Sequence, residues 1–130
     1  MLRRATEDDA ESRVTAARLS ALSVVVFRGP LTLGDLARTE GVRSATMTGI
    51  VNGLEQAGFV RRREHTRDRR AVLVASTAGG RRVLARARQR RIELISSRLA
   101  DLSPTELSLL TRAAELIDER FALRPWQPRT

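Results

Sequence analysis

The sequence predicts a mainly α-helical fold that carries one small β-hairpin, and three observations lead to it. Apolar residues recur near helical spacing in several separate segments, each bounded by a capping residue or by Gly and Pro. Ala71-Val72-Leu73-Val74-Ala75 breaks that pattern as a β-branched run, and Arg61-Arg62-Arg63-Glu64 precedes it across a polar stretch, as the two arms of a hairpin would. Finally, 130 residues that are 42% hydrophobic and 30% charged suit one compact domain with a modest core.

Residues 1–14 are polar with sparse apolar positions, and a short N-terminal arm or a truncated first helix is expected there. From Thr15 to Phe27, the spacing of Ala17, Leu19, Leu22, Val25 and Val26 predicts one buried helix, with Thr15 as N-cap and Gly29-Pro30 as its stop. Thr32 followed by Asp35 has the capping-box shape, in which each side chain bonds the other's backbone N–H. Leu33, Leu36 and Ala37 then share one face of a short helix, and Glu40-Gly41-Val42 turns the chain. A second helix starts at Arg43 or Ser44, carries Met47, Ile50, Val51 and Leu54 inward, and ends at Gly58. Two short helices joined by a tight turn make a helix-turn-helix, and a hairpin directly after one is a wing. Residues 15–77 are therefore read as a winged helix-turn-helix.

Thr77 caps a long helix over 78–100, with Val83, Leu84, Ala87, Leu94, Ile95 and Leu99 as its apolar stripe. Ser103-Pro104-Thr105-Glu106 opens a last helix that reaches residue 122 and repeats its apolar face through Leu107, Leu110, Ala114, Ile117 and Phe121. That surplus of apolar surface in a small chain marks 78–122 as long C-terminal helices for dimerisation. Residues 123–130, with Pro125 and Pro128, are read as a loose tail.

Composition removes several function classes. Cys is absent and His65 is the single His, so neither a disulfide framework nor a metal site is expected, and no cofactor is called for. Aromatics make up 3%, too few for platforms that stack single-stranded bases. No apolar run approaches the roughly 18 to 20 residues of a membrane span, and Glu7-Asp8-Asp9 stands where a secretory signal would be apolar, so a cytoplasmic protein is expected. Ser44, His65 and Asp68 do not make a catalytic triad, because the sequence offers them neither a glycine elbow nor oxyanion donors; an enzyme is not expected.

All 24 basic residues are Arg, set against 15 acids for a net charge of +9. Their distribution matters more than their number. Arg61 to Arg91 holds 12 Arg against Glu64 and Asp68, a net +10, whereas the rest of the chain holds 12 Arg against 13 acids, a net −1. A stripe this concentrated attracts a polyanion, and it lacks the adjoining apolar face that membrane-surface binding needs. Double-stranded DNA is the partner that fits a helix-turn-helix: the second helix can enter a major groove, where Ser44, Thr46, Thr48 and Asn52 are polar on helical spacing. At the wing, Arg67, Arg69 and Arg70 suit a minor groove, with Asp68 holding Arg70 in one rotamer. The candidate DNA-binding set is Thr32, Arg43, Ser44, Ala45, Thr46, Thr48, Asn52, Arg61, Arg67, Asp68, Arg69 and Arg70.

Five segments in this order and spacing resemble the MarR family of winged-helix transcription regulators: Leu31-Thr32-Leu33-Gly34-Asp35-Leu36-Ala37, Ala45-Thr46-Met47-Thr48, Leu54 through Arg62, Asp68-Arg69-Arg70, and Leu102 through Leu107. The resemblance covers Thr15 to Phe121. It implies a homodimer, joined through the terminal helices, that binds a pseudo-palindromic duplex as a regulator, here a repressor, and releases it when a small aromatic or lipophilic effector binds. Two departures stand out. Gly49 and Gly53 occupy positions where family members often carry Arg, and Arg43 stands where a Ser or Thr N-cap is usual. Only about 13 residues precede the Thr15 helix, fewer than the family's interface helix uses, so either the C-terminal helix pairs the subunits alone or the reading frame is longer. The competing reading is a winged-helix module for protein interaction that has lost operator reading.

Overall fold

The structure is a computed structural model that describes residues 15–65, 67 and 71–121. The expected arm over 1–14, the Asp68, Arg69 and Arg70 of the wing tip, and the tail over 123–130 lie outside the described residues. The chain forms two compact units that divide between Arg88 and Gln89.

The first unit begins with helix α1, Ala16–Arg28, whose N-cap Thr15 accepts a hydrogen bond from the Arg18 N–H at 3.3 Å. At its other end the Gly29 N–H donates back to the Val25 carbonyl at 2.9 Å, as the Gly-Pro stop predicts. Strand β1, Leu31–Thr32, follows and was not legible in the sequence, because two residues carry no periodicity. Helix α2, Leu33–Glu40, is capped by the Thr32 hydroxyl, which accepts from the Asp35 N–H at 3.1 Å, while the Asp35 carboxylate pairs with Arg38. Gly41 ends α2 in the left-handed region at φ 66°, a conformation glycine adopts without steric cost.

Helix α3, Ser44–Gln56, starts without a side-chain cap: Arg43 holds the N-cap position and makes no capping bond. Gly58 takes φ 78° just beyond its end. Strands β2, Val60–Glu64, and β3, Val72–Ser76, form the hairpin, and β3 lies in the centre of an antiparallel sheet ordered β1-β3-β2. Val74 therefore pairs with Leu31 on one side and Arg62 on the other. Leu22, Leu36, Met47, Val51, Leu54 and Val74 are all fully buried and define the core beneath α1, α2, α3 and the sheet.

Helix α4, Ala78–Leu99, is capped by Thr77, whose Oγ1 accepts from the Gly80 N–H at 3.1 Å and donates to the Gly58 carbonyl at 2.5 Å. Gly80 packs so closely on the turn after α3 that a Cβ would collide with the Phe59 carbonyl oxygen. The stripe read along α4 does not stay buried. Val83 is covered and Leu84 packs on the same core, but Leu94 and Ile95, in the second unit, are 55% and 50% exposed. The reason is supply: Val83 and Leu84 have the core of the first unit to pack on, and the described residues of the second unit bury no residue of their own.

The second unit holds the rest of α4 and helix α5, Pro104–Phe121, opened by a two-armed capping box. The Glu106 N–H donates to Ser103 Oγ at 3.2 Å, and the Ser103 N–H donates to Glu106 Oε2 at 2.8 Å. No residue of α5 is buried, and Leu107, Leu110, Ile117 and Phe121 are all exposed.

Candidate nucleic-acid interface

Helix α3 is built from an inner face and an outer face. Met47, Val51 and Leu54 recur at spacings of four and three and are buried, which fixes the opposite side toward solvent. Ser44, Ala45, Thr46, Thr48 and Asn52 are all exposed, and each is short enough to let the backbone approach a groove floor. Gly49 lies on the same outer side, where an added Cβ would meet nothing within 4 Å. Gly49→Ala is therefore expected to stabilise the protein by about 1 kcal/mol through helix propensity alone, read as a raised midpoint of thermal unfolding.

Two of these polar side chains have half of their hydrogen-bonding capacity committed. The Thr48 hydroxyl donates to the Ser44 carbonyl at 2.9 Å, so it faces solvent as an acceptor and a methyl group. Such a group suits the amino edge of adenine or cytosine, or a thymine methyl, better than a phosphate, which has no proton to give. Asn52 Oδ1 accepts from Arg62 Nη2 at 2.6 Å, which leaves its Nδ2 donor outward. Because guanidinium only donates, the amide orientation is set by this bond.

Arg62 was not among the candidate residues, and it ties the wing to α3. Its Nη1 donates to Glu55 Oε1 at 2.6 Å while its Nη2 holds Asn52, so one half-buried guanidinium reaches two residues three apart along the helix. The signal in the sequence was alternation along β2, where Arg62 shares a face with buried Val60 while Arg61 and Arg63 point outward. An uncompensated Glu55 on an otherwise uncharged helix was the second signal.

Among the remaining candidates, Thr32 is half-buried and capping α2, Arg43 is exposed at the start of α3, and Arg61 is exposed on β2 opposite Ala75. Arg67 is exposed near the hairpin tip, where its N–H donates to His65 Nδ1 at 3.1 Å. The His65 N–H in turn reaches the Ala71 carbonyl at 3.1 Å, one bond past the last ladder pair. Arg81 is partly engaged, its Nη1 donating to the Ser76 carbonyl and hydroxyl at 3.3 and 3.2 Å. The structure thus brings Asn52, Glu55 and Arg62 together on one flank of α3 and presents Ser44 to Thr48 at its open end.

Comparison with known proteins gives this arrangement a family. The model of the MarR family matches residues 14–72, which include α1 through the start of β3. An HTH-type transcriptional regulator of Mycobacterium bovis, itself uncharacterized, is 39% identical over 106 residues, 82% of this chain and 74% of that protein. The chain belongs to the MarR family. The HTH-type transcriptional repressor YetL of Bacillus subtilis is 30% identical over 89 residues, covering 68% of this chain and 53% of that one. The crystal structure of a transcriptional regulator from Thermotoga maritima superposes with a TM-score of 0.71 at 29% identity, over 85% of this chain and 81% of its own. This MarR-family protein is accordingly a winged helix-turn-helix DNA-binding transcriptional regulator. No helix among the described residues is long and apolar enough to cross a membrane.

Proposed function

We propose that the protein is a cytoplasmic homodimeric repressor that grips a pseudo-palindromic operator through α3 and the wing and has no catalytic role. The single observation that carries this reading is the sidedness of α3, buried through Met47, Val51 and Leu54 and offering Ser44, Ala45, Thr46, Thr48, Gly49 and Asn52 outward. Residues 15–77 then read DNA and residues 78–122 pair the subunits. A two-fold dimer sets two such helices about 34 Å apart, one duplex turn, whereas a single subunit engages one half-site. Repression is supported by the name of the Bacillus subtilis relative, and release by a small aromatic or lipophilic effector by the family resemblance.

Since α3 itself has no Arg and the charge excess lies in Arg61 to Arg91, binding is expected to be dominated by phosphate contacts. With roughly 6 to 10 phosphates neutralised per dimer, log K falls with log salt at a slope near −5 to −9. Titration of a labelled duplex from the native gene's flank at several salt concentrations measures it. Absence of binding even at low salt would favour the second reading, an interaction module, which the open helix surface at Gly49 supports.

A further inference from the structure

We propose that Arg18 of α1 is a DNA-phosphate contact, delivered across the side of α3 that Gly53 leaves bare. The inference rests on the reading that α3 lies in a major groove. A helix so placed has a phosphate strand along each flank, and those flanks are where cations are useful. Helix α3 supplies none: Ser44 to Gln56 contains no Arg, and its one charge is Glu55.

The cations come from neighbouring elements instead. On one flank Arg62 meets Asn52 and Glu55, and its charge is spent on that carboxylate. On the other flank Thr46, Gly49 and Gly53, at successive spacings of three and four, form one strip along the helix. The strip begins with a hydroxyl, continues without side chains, and ends about 10 Å along beneath the Arg18 guanidinium. A Cβ at Gly53 would lie 2.5 Å from Arg18 Cζ and Nη2 and 2.7 Å from Nε, so the guanidinium rests on the helix backbone where any other residue would push it away.

Nothing among the described residues occupies that guanidinium. The Arg18 bond to Thr15 uses the backbone N–H, and no described carboxylate pairs with the side chain. Half-buried against α3, it has lost rotamer freedom in advance, and phosphate oxygens match its fork geometry. Gly53 is thus not merely an Arg lost from the recognition helix: the missing cation is replaced from α1 at the same flank.

Three variants and the wild type, titrated on the same duplexes across a salt series, test this. Arg18→Gln is expected to reduce the salt slope by about 2 per dimer and to weaken binding equally on operator and unrelated sequence, about 8-fold per subunit at 0.1 M salt if the lines meet at 1 M. Arg18→Lys restores the slope. Gly53→Ala displaces the guanidinium and lowers the slope as Arg18→Gln does, yet raises the thermal midpoint by a few degrees, because only the mobile end of a side chain must move and a helix glycine is removed. A wild type that binds while Arg18→Gln keeps its full slope overturns the inference and leaves the proposed function standing. A wild type that does not bind at low salt overturns both.

Discussion

The double variant Leu110→Glu, Ile117→Glu is expected to run as a 14.5 kDa species in light scattering at micromolar concentration, where the wild type runs at twice that mass. Both side chains lie on α5, a helix with no buried residue, and both are exposed, Ile117 by 58%. Neighbouring Leu107 and Phe121 extend the same apolar face, and no element among the described residues of the second unit covers it. Two carboxylates placed there cost little in a monomer and are desolvated in a dimer, so they act on assembly more than on folding. Losing the dimer turns a two-site grip into a one-site grip, and the affinity for a palindromic duplex is expected to fall by roughly 10² to 10⁴. A wild-type mass of 14.5 kDa would refute the dimer and the palindromic operator with it.

Leu54→Ala is expected to destabilise the first unit by about 2 to 5 kcal/mol, read by urea unfolding. Leu54 is fully buried on the inner face of α3. That helix has little of its own to hold it: no side-chain cap at Arg43, no acid in its first turn, and two internal glycines. A 13-residue segment so composed is marginal in isolation and depends on packing through Met47, Val51 and Leu54. Amide exchange in α3 should therefore accelerate more than in α1, which keeps its Thr15 cap. Equal acceleration throughout would show that α3 is not the weakly supported element.

Local chemistry settles most of the fold. Thr15, Thr32, Thr77 and Ser103 each start a helix because a hydroxyl beside an orphan N–H works within four residues, whatever the rest of the chain does. Gly41 and Gly58 punctuate for an equally local reason, a positive φ that other residues resist. The period of Met47, Val51 and Leu54 identifies the inner face of α3, and thereby the exposed candidates Ser44, Ala45, Thr46 and Thr48 opposite.

Tertiary structure decided whatever depends on a distant partner. Strand β1 exists only because β3 offers Leu73 and Val74 to Thr32 and Leu31, some forty residues away in sequence and invisible to a periodicity argument. The half of α4 that stays exposed could not be told from the half that is covered, since Leu94 and Val83 are both apolar and only Val83 belongs to a unit with a buried core. Asn52 looked like a free amide until Arg62 on β2 took its oxygen. Gly53 looked like a defect of the recognition helix, and only the path of the Arg18 side chain shows what its missing Cβ makes room for. Sequence spacing reports which residues share a face; it carries no record of which side chain from another element comes to lie on it.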